Sequence, residues 1–121
     1  MNLCIITAAA MIELGSASFT LGWQHSIEKT RWEEDWRVTA QGLVLEEARI
    51  ENMGAGMEPG PDARFDGTWW RWKPNVPPLP HLLLRKSDAI PQGWELCANG
   101  KCRRIGTPQD GGEMVVLRPC P

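Results

Sequence analysis

From Ser18 onward the chain alternates with a period of two: Phe19, Leu21, Trp23, His25 and Ile27 fall on one face, and Thr20, Gly22, Gln24, Ser26 and Glu28 on the other. The next segment repeats the pattern, with Trp32, Glu34, Trp36 and Val38 against Glu33, Asp35 and Arg37. Two adjacent stretches that alternate this long read as paired, half-buried β-strands. A helix from Ile27 to Arg37 capped by Ser26 is the rival, because Trp32 and Trp36 are also four apart. The pattern continues unbroken from Phe19, and that favours the hairpin. If Glu28 to Arg31 form a four-residue loop, Leu21 opposes Val38, Trp23 opposes Trp36, His25 opposes Glu34 and Ile27 opposes Trp32. Every apolar residue then meets another, which is the condition that fixes register.

The rest of the chain repeats this grammar in shorter pieces. Extended segments are expected at Leu3 to Thr7, Met11 to Leu14, Leu43 to Ile50, Thr68 to Trp72, His81 to Arg85, Gly93 to Ala98, Lys101 to Ile105 and Glu113 to Arg118, separated by turn residues. Ten prolines and twelve glycines leave little room for long helix. These features predict one all-β domain over residues 1–121, an antiparallel β-sandwich or barrel-like fold. The Gly- and Pro-rich stretch from Asn52 to Pro80 is expected to be a long surface connection with one strand inside it. Its "PNVPPLP" run lacks the amide donors of a central strand.

A formal charge of -2 supplies no positive excess for a phosphate backbone, so nucleic acid is not an expected partner. The run "LCIITAAAMI" resembles the core of a signal peptide, with "SAS" at Ser16 to Ser18 resembling a cleavage site. However, no Lys or Arg precedes it and Glu13 interrupts it, which favours a first β-hairpin with Cys4 and Ile6 facing one way. The run is also too short to span a bilayer.

His25 and Glu34, as cross-strand partners on an inward aromatic face, form either a satisfied polar pair or a ligand or proton site. Ser26 points to the opposite face from His25, so the two are no nucleophile and base. Neither an HxH nor an HExxH spacing marks a metal site, and no cofactor motif is present. In "NMGAGMEPGP", Gly54, Ala55, Gly56 and Met57 form either a sharp turn or a place where a ligand or partner backbone approaches closely. "DGTWWRWKP" puts Trp70 and Trp72 on one strand face and Trp69 with Arg71 on the other. It is either an exposed aromatic patch suited to an interface or a sheet face covered by stacked cations. In "CANGKC", Asn99-Gly100 suits a type I′ turn that sets Cys97 opposite Cys102 in a pair able to close as a disulfide. The rival is a metal knuckle completed by Cys4 and Cys120.

Through "FTLGWQHSIEKTRWEEDWRV", "LVLEEARIENMGAGMEP" and "LCANGKC", the chain resembles the small bacterial family called domain of unknown function 1850. Members of that family are encoded beside TAXI-type TRAP transporters. The resemblance therefore implies a non-enzymatic accessory, sensing or binding module for solute uptake, partnered by transporter components or their solute. The alternative is a small enzyme using His25 and Glu34 as an acid/base pair. The positions that match the shared motifs are His25, Ser26, Lys29, Glu34, Glu46 and Gly54 to Met57. Some relatives carry a hydrophobic anchor before the first strand, so the resemblance also implies a periplasmic or membrane-associated place of work.

Overall fold

A computed structural model describes residues 1–24, 30–51, 60–86 and 92–121. Its described strands are β1 (Leu3–Ile6), β2 (Met11–Leu14), β3 (Ser18–Gln24), β4 (Arg31–Thr39), β5 (Gly42–Ile50), β6 (Arg64–Phe65), β7 (Trp70–Trp72), β8 (Leu82–Arg85), β9 (Trp94–Ala98), β10 (Lys101–Ile105) and β11 (Met114–Pro119). They form two antiparallel sheets: a smaller one in the order β2-β1-β11-β8 and a larger one in the order β10-β9-β3-β4-β5-β7-β6. Neither closes into a barrel, and the all-β sandwich-like expectation is met. The segment that resembles a signal-peptide core supplies β1 and β2, with β1 paired to both β2 and β11.

The long hairpin is present, and β4 is a strand where a helix was the rival, but the register differs from the expected one. Phe19 pairs with Trp36, Leu21 with Glu34, Trp23 with Trp32 and Gln24 with Arg31. Glu34 therefore stands opposite Leu21 and not opposite His25. Both registers keep the same side chains inward, because they differ by an even number of residues. Apolar matching alone does not separate them; the outer face does. Only the observed register lets Thr20 donate its hydroxyl hydrogen to Asp35 Oδ1 at 2.8 Å and brings Gly22 beneath the Arg31 guanidinium.

The alternation in β5 changes phase along its length. Leu43 and Leu45 are buried, and so are Ala48 and Ile50, which leaves Glu46 and Glu47 between two inward residues. The pairing with β4 shifts at this point, Asp35 facing Glu47 and Trp36 facing Leu45. Glu46 is the extra residue of a β-bulge. Without it, one half of β5 would turn its apolar side chains to water.

The core lies between the sheets. Leu3, Ile5, Leu84, Val115 and Leu117 of the smaller sheet meet Phe19, Leu21, Trp36, Val38, Leu43, Leu45, Trp94, Leu96 and Ile105 of the larger. The proline-rich run touches β5 through an antiparallel bridge in which the Leu79 and Leu43 amides each donate to the other's carbonyl. The connection that was expected to hold one strand holds two, the β6–β7 hairpin. Its turn is set by Asp66, whose Oδ1 accepts from the Thr68 and Trp69 amides while Gly67 adopts a φ of 102°. Disulfides join Cys4 to Cys120 and Cys97 to Cys102, the latter across the hairpin turned by Asn99 and Gly100, both at positive φ.

Candidate functional site

The inner face of the larger sheet extends beyond the main core. Across the strands one row reads Leu96, Leu21, Glu34, Ala48 and Trp72, and the adjacent row reads Trp23, Trp32, Ile50 and Trp70. Ala48 and Ile50 are fully buried and form a floor. Trp23, Trp32, Trp70 and Trp72 are half-buried, so each keeps some contact with water. Trp23 stacks on Trp32 with ring centroids 5.6 Å apart, and Trp72 meets Trp32 edge to face at 5.4 Å.

Among the described residues Glu34 is the charged one on these two rows. Its Oε1 accepts a hydrogen bond from the Trp36 indole N–H at 3.1 Å and its Oε2 a long one from Trp32 at 3.4 Å. Burial pushes its carboxyl above the usual carboxylate range, and the two indole hydrogen bonds offset only part of that rise. Among the described residues no arginine or lysine pairs with it. Chemically the arrangement is a partly dehydrated acceptor beside half-buried aromatic rings, suited to recognition.

The outer face of the same sheet is organised differently. Arg49 pairs with Glu33 at 2.8 Å, Asp35 at 2.8 Å and Glu47 at 3.1 Å, while Arg31 joins Glu33 at 3.1 Å to Glu95 at 2.8 Å. Arg71 extends the chain of charges from Glu47 to Asp66. Burial opposes ionisation of Asp35, yet hydrogen bonds from Arg49 and Thr20 outweigh it and lower its pKa. Asp66 is held down to about 2 by the Trp69 amide, the Arg71 guanidinium and the Thr68 amide. Each of these acids has a cationic partner. The ladder was not anticipated, although the signed alternation in "RWEEDWRV" and "LEEARI" was its signal.

The candidate residues divide between faces. Glu46 sits on the outer side at the bulge, exposed and 3.5 Å from Arg37, and does not converge on Glu34. His25, Ser26 and Lys29, and the run Gly54 to Met57, lie outside the described residues. The expected aromatic patch is less open than an exposed patch would be. Trp69, Trp70 and Trp72 are all half-buried, with Arg49 over the Trp69 ring at 5.7 Å and Phe65 against Trp70 at 5.1 Å. Phe65 is the exposed aromatic, at 54%. Cys97, Cys102 and Glu95 cluster closely, but the bonded sulfurs present no thiolate to a metal.

The family model for domain of unknown function DUF1850 matches residues 19–105, well over half of the chain. The chain belongs to this family. The match takes in both faces of the larger sheet from β3 to β10, and therefore Glu34, the tryptophans and the ion-pair ladder. No curated protein matches the chain, and neither does any solved structure. Among the described residues no helix is long and apolar enough to cross a membrane.

Proposed function

We propose that this domain is a non-enzymatic binding module serving a TRAP-type solute uptake system, with Glu34, Trp23, Trp32 and Trp72 as its recognition face. The observation that carries the binding half is Glu34 itself: a half-buried carboxylate held by two neutral indole N–H groups, where its neighbours Glu33 and Asp35 are paired with arginine. Among the described residues Glu34 has no counter-charge; burying a charge in this way costs stability, and a site that accepts such a cost has a use for the group. The transport half follows from the family resemblance, in which members are encoded beside TAXI-type TRAP transporters. The two disulfides support work in an oxidising compartment such as the periplasm. An acid/base enzyme is the weaker reading, because Glu34 takes Leu21 as its cross-strand partner where that reading needs His25.

Affinity purification of the tagged full chain from its native cell tests the proposal. The transporter's binding protein or permease should co-purify, and a Glu34→Gln, Trp32→Leu double variant should lose that capture while remaining folded. Capture that survives the double variant would remove this face from the function. Failure of the wild-type chain to capture any transport component would remove the transporter.

A further inference from the structure

We infer that the Glu34 face receives the ammonium group of an organic ligand, the cationic head meeting the carboxylate and an indole ring together; this inference rests on the binding function proposed for that face.

The geometry narrows the ligand by its charge. From the described residues each Glu34 oxygen accepts one indole N–H, and a carboxylate has about four acceptor positions, so those residues leave both oxygens capacity for a further donor. The indole N–H edges of Trp32 and Trp36 are already turned to Glu34. With its N–H engaged, what Trp32 has left to offer a ligand is the negative face of its ring. A cation within about 6 Å of an indole centroid is attracted by that face, most strongly where water is displaced. Trp32 and Trp72 set two ring planes at 86° to one another, with Trp23 stacked behind Trp32. Glu34 and Trp72 lie in one cross-strand row with only the methyl of Ala48 between them. A positive head group on this face gains a counter-charge and an aromatic wall, and gives the buried carboxylate the cation that the described residues do not supply.

Other ligand classes use less of what is there. An anion is repelled by Glu34. A divalent metal ion needs several oxygen ligands, and on this face the described residues supply a single carboxylate. A neutral sugar stacks on indoles and its hydroxyls donate to the carboxylate, but it brings Glu34 no counter-charge.

The test follows the indole N–H resonances of Trp32 and Trp36 in the full chain during separate titrations with choline chloride, n-butylammonium chloride, sodium butyrate and glucose. The ammonium probes should shift both resonances saturably, and butyrate and glucose should not. Glu34→Gln should weaken choline binding about tenfold, as expected for losing a charge-assisted contact, with a melt showing the variant folded. Trp72→Leu, on the edge-to-face partner, should weaken it severalfold and serves if Glu34→Gln does not fold. Glucose shifting the resonances as choline does, or Glu34→Gln binding choline with wild-type affinity, would overturn the ammonium inference and leave the binding face standing. Silence from every probe also overturns it. The proposed function then falls as well only if capture of the transport components no longer depends on Glu34.

Discussion

Arg31 Nη2 occupies the place that a Cβ on Gly22 would take. The arginine lies across the bare backbone of β3 and reaches Glu95 on β9 while its Nε holds Glu33, so a missing side chain on one strand lets an ion pair span three. Gly22→Ala should therefore destabilise the domain by about 1 kcal/mol through displacement of that guanidinium. In an Arg31→Ala background the same change should become neutral or stabilising, since alanine in a strand interior is better than glycine by about 0.5 to 1 kcal/mol. A double-mutant cycle by denaturant unfolding reads the change of sign; strict additivity would mean that Arg31 does not depend on Gly22.

Arg49 is the hub of the outer face, only 12% exposed and shared by Glu33, Asp35 and Glu47. Removing it leaves Asp35 without its cationic partner and takes one of two from Glu33 and Glu47, which keep Arg31 and Arg71. Arg49→Met should cost about 2 kcal/mol, below the range for a fully buried pair because its partners are partly solvated. Arg49→Lys should recover less than half, as an ammonium cannot serve the Asp35 carboxylate with both guanidinium nitrogens. Urea melts of the two variants at low and moderate salt test this, and equal stability of Arg49→Lys and wild type would contradict the hub.

The architecture was legible because nearly every strand announced itself by alternation and was bounded by Gly, Pro or Asn. The register of the long hairpin was not. Inward apolar matching is satisfied equally by any slip of an even number of residues, and the residues that break the tie, Thr20, Gly22, Arg31 and Asp35, are polar groups whose partners lie on other strands. The bulge at Glu46 was written in the sequence as two adjacent acids between Leu45 and Ala48. Glu34 was singled out correctly as an inward acid, but its two indole donors could be assigned only once the register was known, and β6 is too short to show a period at all.

The sequence places Trp23 and Trp36 alike on the inward face, but their surroundings separate them. Trp36 is 3% exposed, stacks on Phe19 and donates to Glu34, whereas Trp23 is half-buried at the edge of the core. Trp36→Ala should cost roughly 3–5 kcal/mol as a large-to-small core change. Trp23→Ala should cost less than half of that, and its thermal midpoint should fall between Trp36→Ala and wild type.

The two disulfides should contribute unequally. Cys4–Cys120 closes nearly the whole chain with a sequence separation of 116, and Cys97–Cys102 closes a hairpin with a separation of 5. By chain entropy the first is worth about 5 kcal/mol and the second about 2 kcal/mol. Serine variants of each pair, melted separately, should show the larger loss for Cys4 and Cys120.

Glu34 and Asp35 are neighbours in sequence and face opposite sides of one strand, and their carboxyls shift in opposite directions. Glu34 has its pKa raised above 4.5, chiefly by burial, so between the unfolded and folded values the native state binds more protons than the unfolded one. Its contribution to stability falls as pH rises through that window. Asp35 has its pKa lowered below 3.8, burial being outweighed by Arg49 and Thr20, so in its window the unfolded state binds more protons and stability rises with pH. Glu34→Gln should therefore gain on wild type as pH climbs above 4.5. Asp35→Asn should lose on wild type as pH climbs toward and past 3.8. Glutamine still offers an acceptor to one indole and an unsuitable amide to the other, which adds an offset independent of pH, so the slope and not the offset reports the charge. Unfolding free energies of the three proteins measured from pH 3 to pH 7 decide the matter, and two variants with slopes of the same sign would show that the two faces of β4 are not the contrasting environments described.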